Sequence, residues 1–266
     1  MVRMALRNCL FAAFLCLAGI APASGQEPAH ASVSVPTTYG DAMRWYENAA
    51  QAGHPQAQFY LGYMYETGVR VARDTAKAAN WYRRAGEQGH AQAQYNLGQL
   101  YYRGDGVAKN IAEATGWYRQ AARKELADAQ YALAALLETG EGATANPIEA
   151  AEWYQRASDL GSIDAANNLA IMLMRGTELE KDVPRAIALY RVAAEAGLAN
   201  AQFNLAAAYI NGDGIAADYV AAHRWLVAAA HQLDEIAVAD QAGKVLSELE
   251  KRMTPAQLEQ ARRSQN

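Results

Sequence analysis

From residue 38 onward the apolar positions of the chain return every 36 residues. Trp45, Trp81, Trp117, Trp153 and Trp225 share one register, with Leu189 in the vacant slot. Tyr46, Tyr82, Tyr118, Tyr154 and Tyr190 follow them, then Leu226. A register kept without insertion over six units predicts tandem copies of one supersecondary unit. Strand-like alternation is absent beyond the first 37 residues, so the expected fold class is all-α.

Polar punctuation divides each unit into two helices. Seven residues before each tryptophan slot stand Thr38, Asp74, Asn110, Asn146, Asp182 and Asp218. Each is a good N-cap, whose side-chain oxygen can accept from an unpaired N–H of the first turn. Pro147 sits one residue past its cap, where a missing N–H costs nothing, and Glu113 completes a capping box with Asn110. The first helix then runs about 13 residues to Gly53, Gly89, Gly161 or Gly197, each placed for a left-handed C-cap. Glu125 occupies that column in the third unit, which predicts either another cap or a strain of roughly 1–2 kcal/mol.

The second helix carries Leu61, Leu97, Leu133, Leu169 and Leu205 in one column and Ala57, Ala93, Ala129, Ala165, Ala201 and Ala237 in another. It ends at Gly68, Gly104, Gly140, Gly176 and Gly212, and three units add a second glycine at Gly106, Gly142 and Gly214. Small pairs such as Ala49-Ala50, Ala121-Ala122 and Ala193-Ala194 allow close helix approach, with the tryptophans filling the space between units. A two-helix unit cannot bury its apolar face alone, so units must stack into a quasi-linear array. The sixth unit loses its glycines and extends through Glu235 to Arg252. Thr254, Pro255 and Gln257 then open a charged final helix, Ala256 to about Arg263, as a polar cap.

The first residues differ in kind. Arg3 and Arg7 precede an apolar run from Cys9 to Ala21, followed by Ala21-Pro22-Ala23 and Ser24-Gly25. The run is too short for a bilayer core of ~30 Å, which needs about 20 apolar residues. Charge, apolar stretch and small residues predict a cleavable secretory signal over 1–23, hence a periplasmic or secreted protein. A leader without periodicity follows over 24–37, then the array over 38–252 and the capping helix and tail over 253–266. Both cysteines, Cys9 and Cys16, lie inside the signal, so disulfide and thiol chemistry are not expected of the mature chain. Removing Arg3 and Arg7 leaves 22 basic against 28 acidic residues, a net charge of −6. With no basic stripe, nucleic acid is not an expected partner, and no integral membrane segment is expected after cleavage.

The runs Trp81-Tyr82-Arg83-Arg84-Ala85, Gln88-Gly89-His90-Ala91-Gln92-Ala93-Gln94-Tyr95-Asn96-Leu97-Gly98 and Leu100-Tyr101-Tyr102-Arg103-Gly104-Asp105-Gly106-Val107 resemble the Sel-1-like repeat family. The resemblance covers residues 38 to about 250. Tetratricopeptide repeats share the helix pair, but their repeat is shorter, about 34 residues, and they lack the Gly-x-Gly connector. The resemblance implies a right-handed α-solenoid of about six repeats, with a concave groove used for protein–protein contacts. Exported members often serve as periplasmic adaptors or modulators of signalling proteins. Some relatives are described as β-lactam-binding or hydrolysing, but those are rich in paired cysteines.

No catalytic, cofactor-binding or metal-ligating residue is assigned. His54 and His90 share a column that repeat structure explains, and His223 and His231 have no nearby cysteine. Gly104-x-Gly106 lacks the rest of a phosphate loop, and Glu178 and Glu180 read as a solvated connector. Specificity can instead reside where the scaffold tolerates variation. Two residues after the tryptophan slot come Glu47, Arg83, Arg119, Gln155 and Arg191. Fifteen after it come Tyr60, Asn96, Ala132, Asn168 and Asn204. Carboxamides donate and accept at once, so spaced asparagines either clamp an extended peptide or satisfy the chain's own buried groups. The candidate partner-binding set is Tyr60, Asn96, Asn168, Asn204, Arg83 and Arg119. The expected function is a scaffold for a protein or peptide partner, possible modulation of an envelope signalling protein included. The alternatives are a cell-wall or β-lactam hydrolase and a purely structural envelope protein.

Overall fold

The computed structural model describes residues 39–232 and 236–263, with side chains from residue 44. The expected signal, the leader, the cap at Thr38 and Glu235 lie outside them. The chain divides into two compact units after Ala42. Of the first, only residues 39–42 are described, and the helical array belongs to the second.

Thirteen helices occupy the described residues: α1 Tyr39–Gln51, α2 Pro55–Thr67, α3 Thr75–Glu87, α4 Ala91–Arg103, α5 Ile111–Ala122, α6 Ala127–Thr139, α7 Pro147–Asp159, α8 Ile163–Arg175, α9 Val183–Glu195, α10 Ala199–Asn211, α11 Tyr219–Ala230, α12 Ile236–Arg252 and α13 Pro255–Arg263. Odd-numbered helices up to α11 are the first of each repeat, even-numbered ones the second. The fold is an all-α solenoid of helical hairpins. From α2 to α11 each helix packs on its successor, and α4, α6, α8 and α10 each meet the next repeat's first helix more extensively than their own partner.

Local chemistry sets the helix ends. Asp74, Asn110, Asn146 and Asp182 accept from the backbone N–H three residues on, and Asp218 from Val220 and Ala221. Gly68, Gly104, Gly140, Gly176 and Gly212 close the second helices in the left-handed conformation. The glycines after the first helices are left-handed too, and Glu125 adopts the same state with φ 60°. The third repeat therefore keeps the shared turn and carries the strain. Glu125→Gly should raise stability by about 1 kcal/mol, read as a higher urea midpoint. An unchanged midpoint would mean that Glu125 side-chain contacts offset the strain. Thr254 and Gln257 form the reciprocal capping box that starts α13.

The core lies between helices. Ala57, Ala93, Ala129, Ala165 and Ala201 are buried, as are Leu61, Leu97, Leu133, Leu169 and Leu205. Ala237, read as the sixth member of the alanine column, is exposed, because α12 begins only at Ile236 and leaves Ala237 in its open first turn. Ala242 and Leu249 are buried there instead. The aromatic pair divides its work. Tyr82 and Tyr154 are fully buried and Tyr118 nearly so, while Trp45, Trp81, Trp117 and Trp225 are half-buried. The tyrosines lie on small residues of the preceding repeat: a Cβ on Gly62 would come 2.6 Å from Tyr82, and one on Gly98 2.6 Å from Tyr118. The tryptophans bridge repeats, Trp81 packing on the first repeat's cluster and Trp117 on the second's. Arg84, Arg156 and Arg224 stack on Trp81, Trp153 and Trp225.

Candidate partner-binding surface

Tyr60, Asn96, Asn168, Asn204, Arg83 and Arg119 are all half-buried. Tyr60, Asn96 and Asn168 face the buried tyrosine of their own repeat. The Tyr60 ring meets Tyr46 edge-on at 5.6 Å. Asn168 donates from Nδ2 to the Tyr154 hydroxyl at 3.1 Å, and that hydroxyl donates to Glu138 Oε2 at 2.9 Å. Tyr82 repeats the motif, donating to Glu66 Oε2 at 2.7 Å with Asn96 also bonded to its hydroxyl. Burial pushes both phenols far above the ordinary tyrosine range, so they stay protonated and serve as donors. Asn96 Oδ1 also accepts from Gln92 at 3.0 Å. Asn204 reaches back one repeat to Asn167 Oδ1 at 3.3 Å. Asn167 in turn donates to Asn168 at 3.4 Å, so Asn168 and Asn204 are joined through it.

The arginines lie on the first helices and diverge. Arg83 donates to the Tyr101 hydroxyl of its own repeat at 2.7 Å. Arg119 pairs with Glu149 of the next repeat, whose Oε1 also accepts from Trp153 Nε1 at 3.2 Å. The Arg119 guanidinium is the main cause holding the Glu149 carboxyl below its usual range. Arg185 donates back to Gln155 at 2.6 Å. Arg119 and Arg185 thus tie successive first helices together, whereas Arg83 ties the two helices of its own repeat.

One column escaped the sequence reading. Gln58, Gln94, Gln130 and Gln202 are buried and donate from Nε2 to the carbonyls of Ala50, Gly86, Ala122 and Ala194. Each adds a second hydrogen bond to a carbonyl of the first helix's last turn that already accepts a backbone N–H, from Gly53, Gly89, Glu125 and Gly197 in turn. The signal was the recurring Ala-Gln pair on the 36-residue register, broken at Ala166.

His90 caps α4. Its Nδ1 accepts from Ala93 N–H at 3.2 Å, so Nε2 carries the proton it shares with Gln56 Oε1 at 3.0 Å. The ring stacks on Phe59 at 4.7 Å, and burial lowers its pKa. The folded state therefore favours the neutral ring. That stability is fully present above the unfolded-state value of about 6.5 and is lost as pH falls below it. Ser162 holds the same register and caps α8, so His90→Ser should keep the cap and flatten the decline of Tm between pH 7 and 5. Parallel Tm profiles for the two proteins would remove His90 as a source of acid sensitivity.

Among the described residues, no cluster of three or more His, Cys, Asp or Glu side chains could hold a metal ion. No described helix is long and apolar enough to cross a membrane. Among the described residues, half-buried polar side chains recur on the surface at repeat spacing.

Comparison with known proteins places these strips in context. A family model described as Sel1 repeat matches residues 39–54, 55–90, 91–126, 127–162, 163–198 and 199–232. Its units run from one second helix to the next first helix, the pairing that packs most extensively here. Among solved structures, a Sel1 repeat protein from Oxalobacter formigenes is 35% identical with TM-score 0.70, covering 75% of this chain and 83% of that one. A protective antigen present in uropathogenic Escherichia coli strains, displaying an SLR fold, is 35% identical with TM-score 0.74. That match covers 86% of this chain and 48% of the antigen, so this chain spans about half its length. No curated protein matches the chain.

Proposed function

Because the chain belongs to the Sel1 repeat family, whose members are in general protein–protein interaction scaffolds, we propose that it is an exported adaptor that binds a segment of a protein partner along the array. The observation that carries this reading is the repeat-spaced strip of half-buried polar side chains, Asn96, Asn168 and Asn204 with Arg83 and Arg119. Such a strip keeps hydrogen-bonding capacity at its surface while its inner atoms are held by the chain itself. An extended segment presents its own polar groups at regular intervals and suits a surface of this kind. An envelope signalling protein is the kind of partner this export route would bring within reach.

The test is crosslinking in cells with a tagged full-length chain, followed by N-terminal sequencing of the recovered protein. The expected result is one protein partner in stoichiometric amount and a mature chain beginning near Ser24. Reproducible hydrolysis of nitrocefin or peptidoglycan by the purified protein, lost on substituting a single acid or serine, would replace the adaptor reading with an enzyme. A deletion that weakens the envelope while no partner is crosslinked would replace it with a structural role.

A further inference from the structure

The buried residues of the first repeat form a small cluster of their own, Tyr46, Ala50, Ala57 and Leu61. Those of the third to fifth repeats merge into one cluster running from Ala114 to Ala208. The Tyr46 hydroxyl is buried and finds no hydrogen-bond partner among the described residues, where Tyr82 and Tyr154 donate to Glu66 and Glu138. A buried polar group left unpaired lowers the stability of the element that carries it. In a linear array an end repeat also opens more readily than one held from both sides.

The ties between the first and second repeats set how readily. α2 packs extensively on α3, so the open state is a minor one. Three side-chain bonds add to that packing. Tyr82 donates to Glu66 at 2.7 Å, Gln88 Nε2 to Gln58 Oε1 at 2.8 Å, and His90 Nε2 meets Gln56 Oε1 at 3.0 Å. The His90 ring also stacks on Phe59, so two side chains of α2 rest on one imidazole. Leu126, Ser162 and Leu198 hold this register in the third, fourth and fifth repeats, and none of them takes up a proton.

Protonation changes what His90 can do. Nδ1 accepts from Ala93 N–H at 3.2 Å, whereas a protonated imidazole donates from both nitrogens. The cap on α4 is then lost and two donors face each other. Gln56 and Phe59, which meet the ring from α2, do not titrate, and from α3 the Ala85 carbonyl accepts the His90 backbone N–H. Two charged residues flank the turn. Glu87 ends α3 and is exposed, and Lys124, just beyond α5, brings Nζ to 3.9 Å from where a Gly89 Cβ would sit. The Phe59 face attracts a cation, but the positive end of α4 and the nearby Lys124 repel one. Burial is the main cause that keeps the ring neutral. The stabilisation is present above the unfolded-state value of about 6.5 and is lost below it.

We propose that protonation of His90 raises the population of a state in which the first repeat has opened while the later repeats stay closed. The array thus carries an acid-sensitive end.

The test is amide hydrogen exchange by mass spectrometry on the purified protein at pH 7 and pH 5, with intrinsic exchange rates corrected for pH. Protection of α1 and α2 is expected to fall about fivefold at the lower pH, the worth of one lost helix cap. Protection of α6 to α10 should hold within about twofold, because the end repeat opens alone. His90→Ser keeps a capping side chain without a titrating group, so its α1 and α2 should be protected equally at both pH values. His90→Asn, a second good cap, replaces it should circular dichroism show that the serine variant does not fold. Unchanged protection of α1 and α2 in the parent protein would overturn the proposal. So would a loss spread evenly along the array, or one that persists in the His90 variants.

Discussion

Tyr154→Ala is expected to lower stability by about 3–5 kcal/mol, the range for removing a fully buried aromatic side chain. Tyr154 has no exposed surface, and it belongs to a core cluster with the fully buried Ala134 and Ala170, which leaves little freedom for the site to collapse. The change also removes the hydroxyl that Asn168 donates to and that donates to Glu138. Tyr154→Phe isolates this polar part and should cost about 1–2 kcal/mol. Trp117→Ala removes a larger ring, yet one that is only half-buried, and is expected to cost about 2–3 kcal/mol. Urea unfolding of the three variants gives the order. Tyr154→Ala milder than Trp117→Ala would return the central role to the indole column. Because each repeat is stabilised by its neighbours, a fall in m for Tyr154→Ala would show that the array has split at the fourth repeat.

The helix ends were legible because they are local. An Asp or Asn cap and a glycine C-cap act within four residues, so one column of the repeat suffices to read them, and even the anomaly at Glu125 stood out. The division of labour between Trp and Tyr was not legible. It depends on what the preceding repeat places underneath: Gly62 under Tyr82, Gly98 under Tyr118, Gly86 near Trp117, where a Cβ would come 3.2 Å from the indole. Long-range polar ties were hidden for the same reason. The glutamine column bonds carbonyls eight residues back, and Asn204 meets Asn167 across 37 residues. Of the candidate surface, the register of the variable positions was readable and their partners were not. Membership of a column says where a side chain starts, while its partner is set by the neighbouring helix.

Gly106→Ala is expected to cost about 3 kcal/mol, against about 1 kcal/mol for Gly161→Ala. Both glycines are left-handed, with φ 70° and 92°, so both variants carry the strain of an L-residue in that region. Gly161 has open space around its missing Cβ, with nothing within 4 Å. A Cβ on Gly106 would lie 2.3 Å from Thr75 C and 2.5 Å from Ala76 N, backbone atoms that cannot swing aside as a side chain can. Those atoms belong to the first turn of α3, whose start is held by Asp74 accepting from Lys77 N–H at 2.9 Å. Accommodating the methyl group therefore means loosening that cap or moving the connector. Arg70 shows that the left-handed state alone is tolerated by a long side chain, so the difference between the two variants measures the close approach. In the fourth repeat Glu178 holds this register and is not left-handed. Equal losses at Gly106 and Gly161 would mean that the connector moves at no cost.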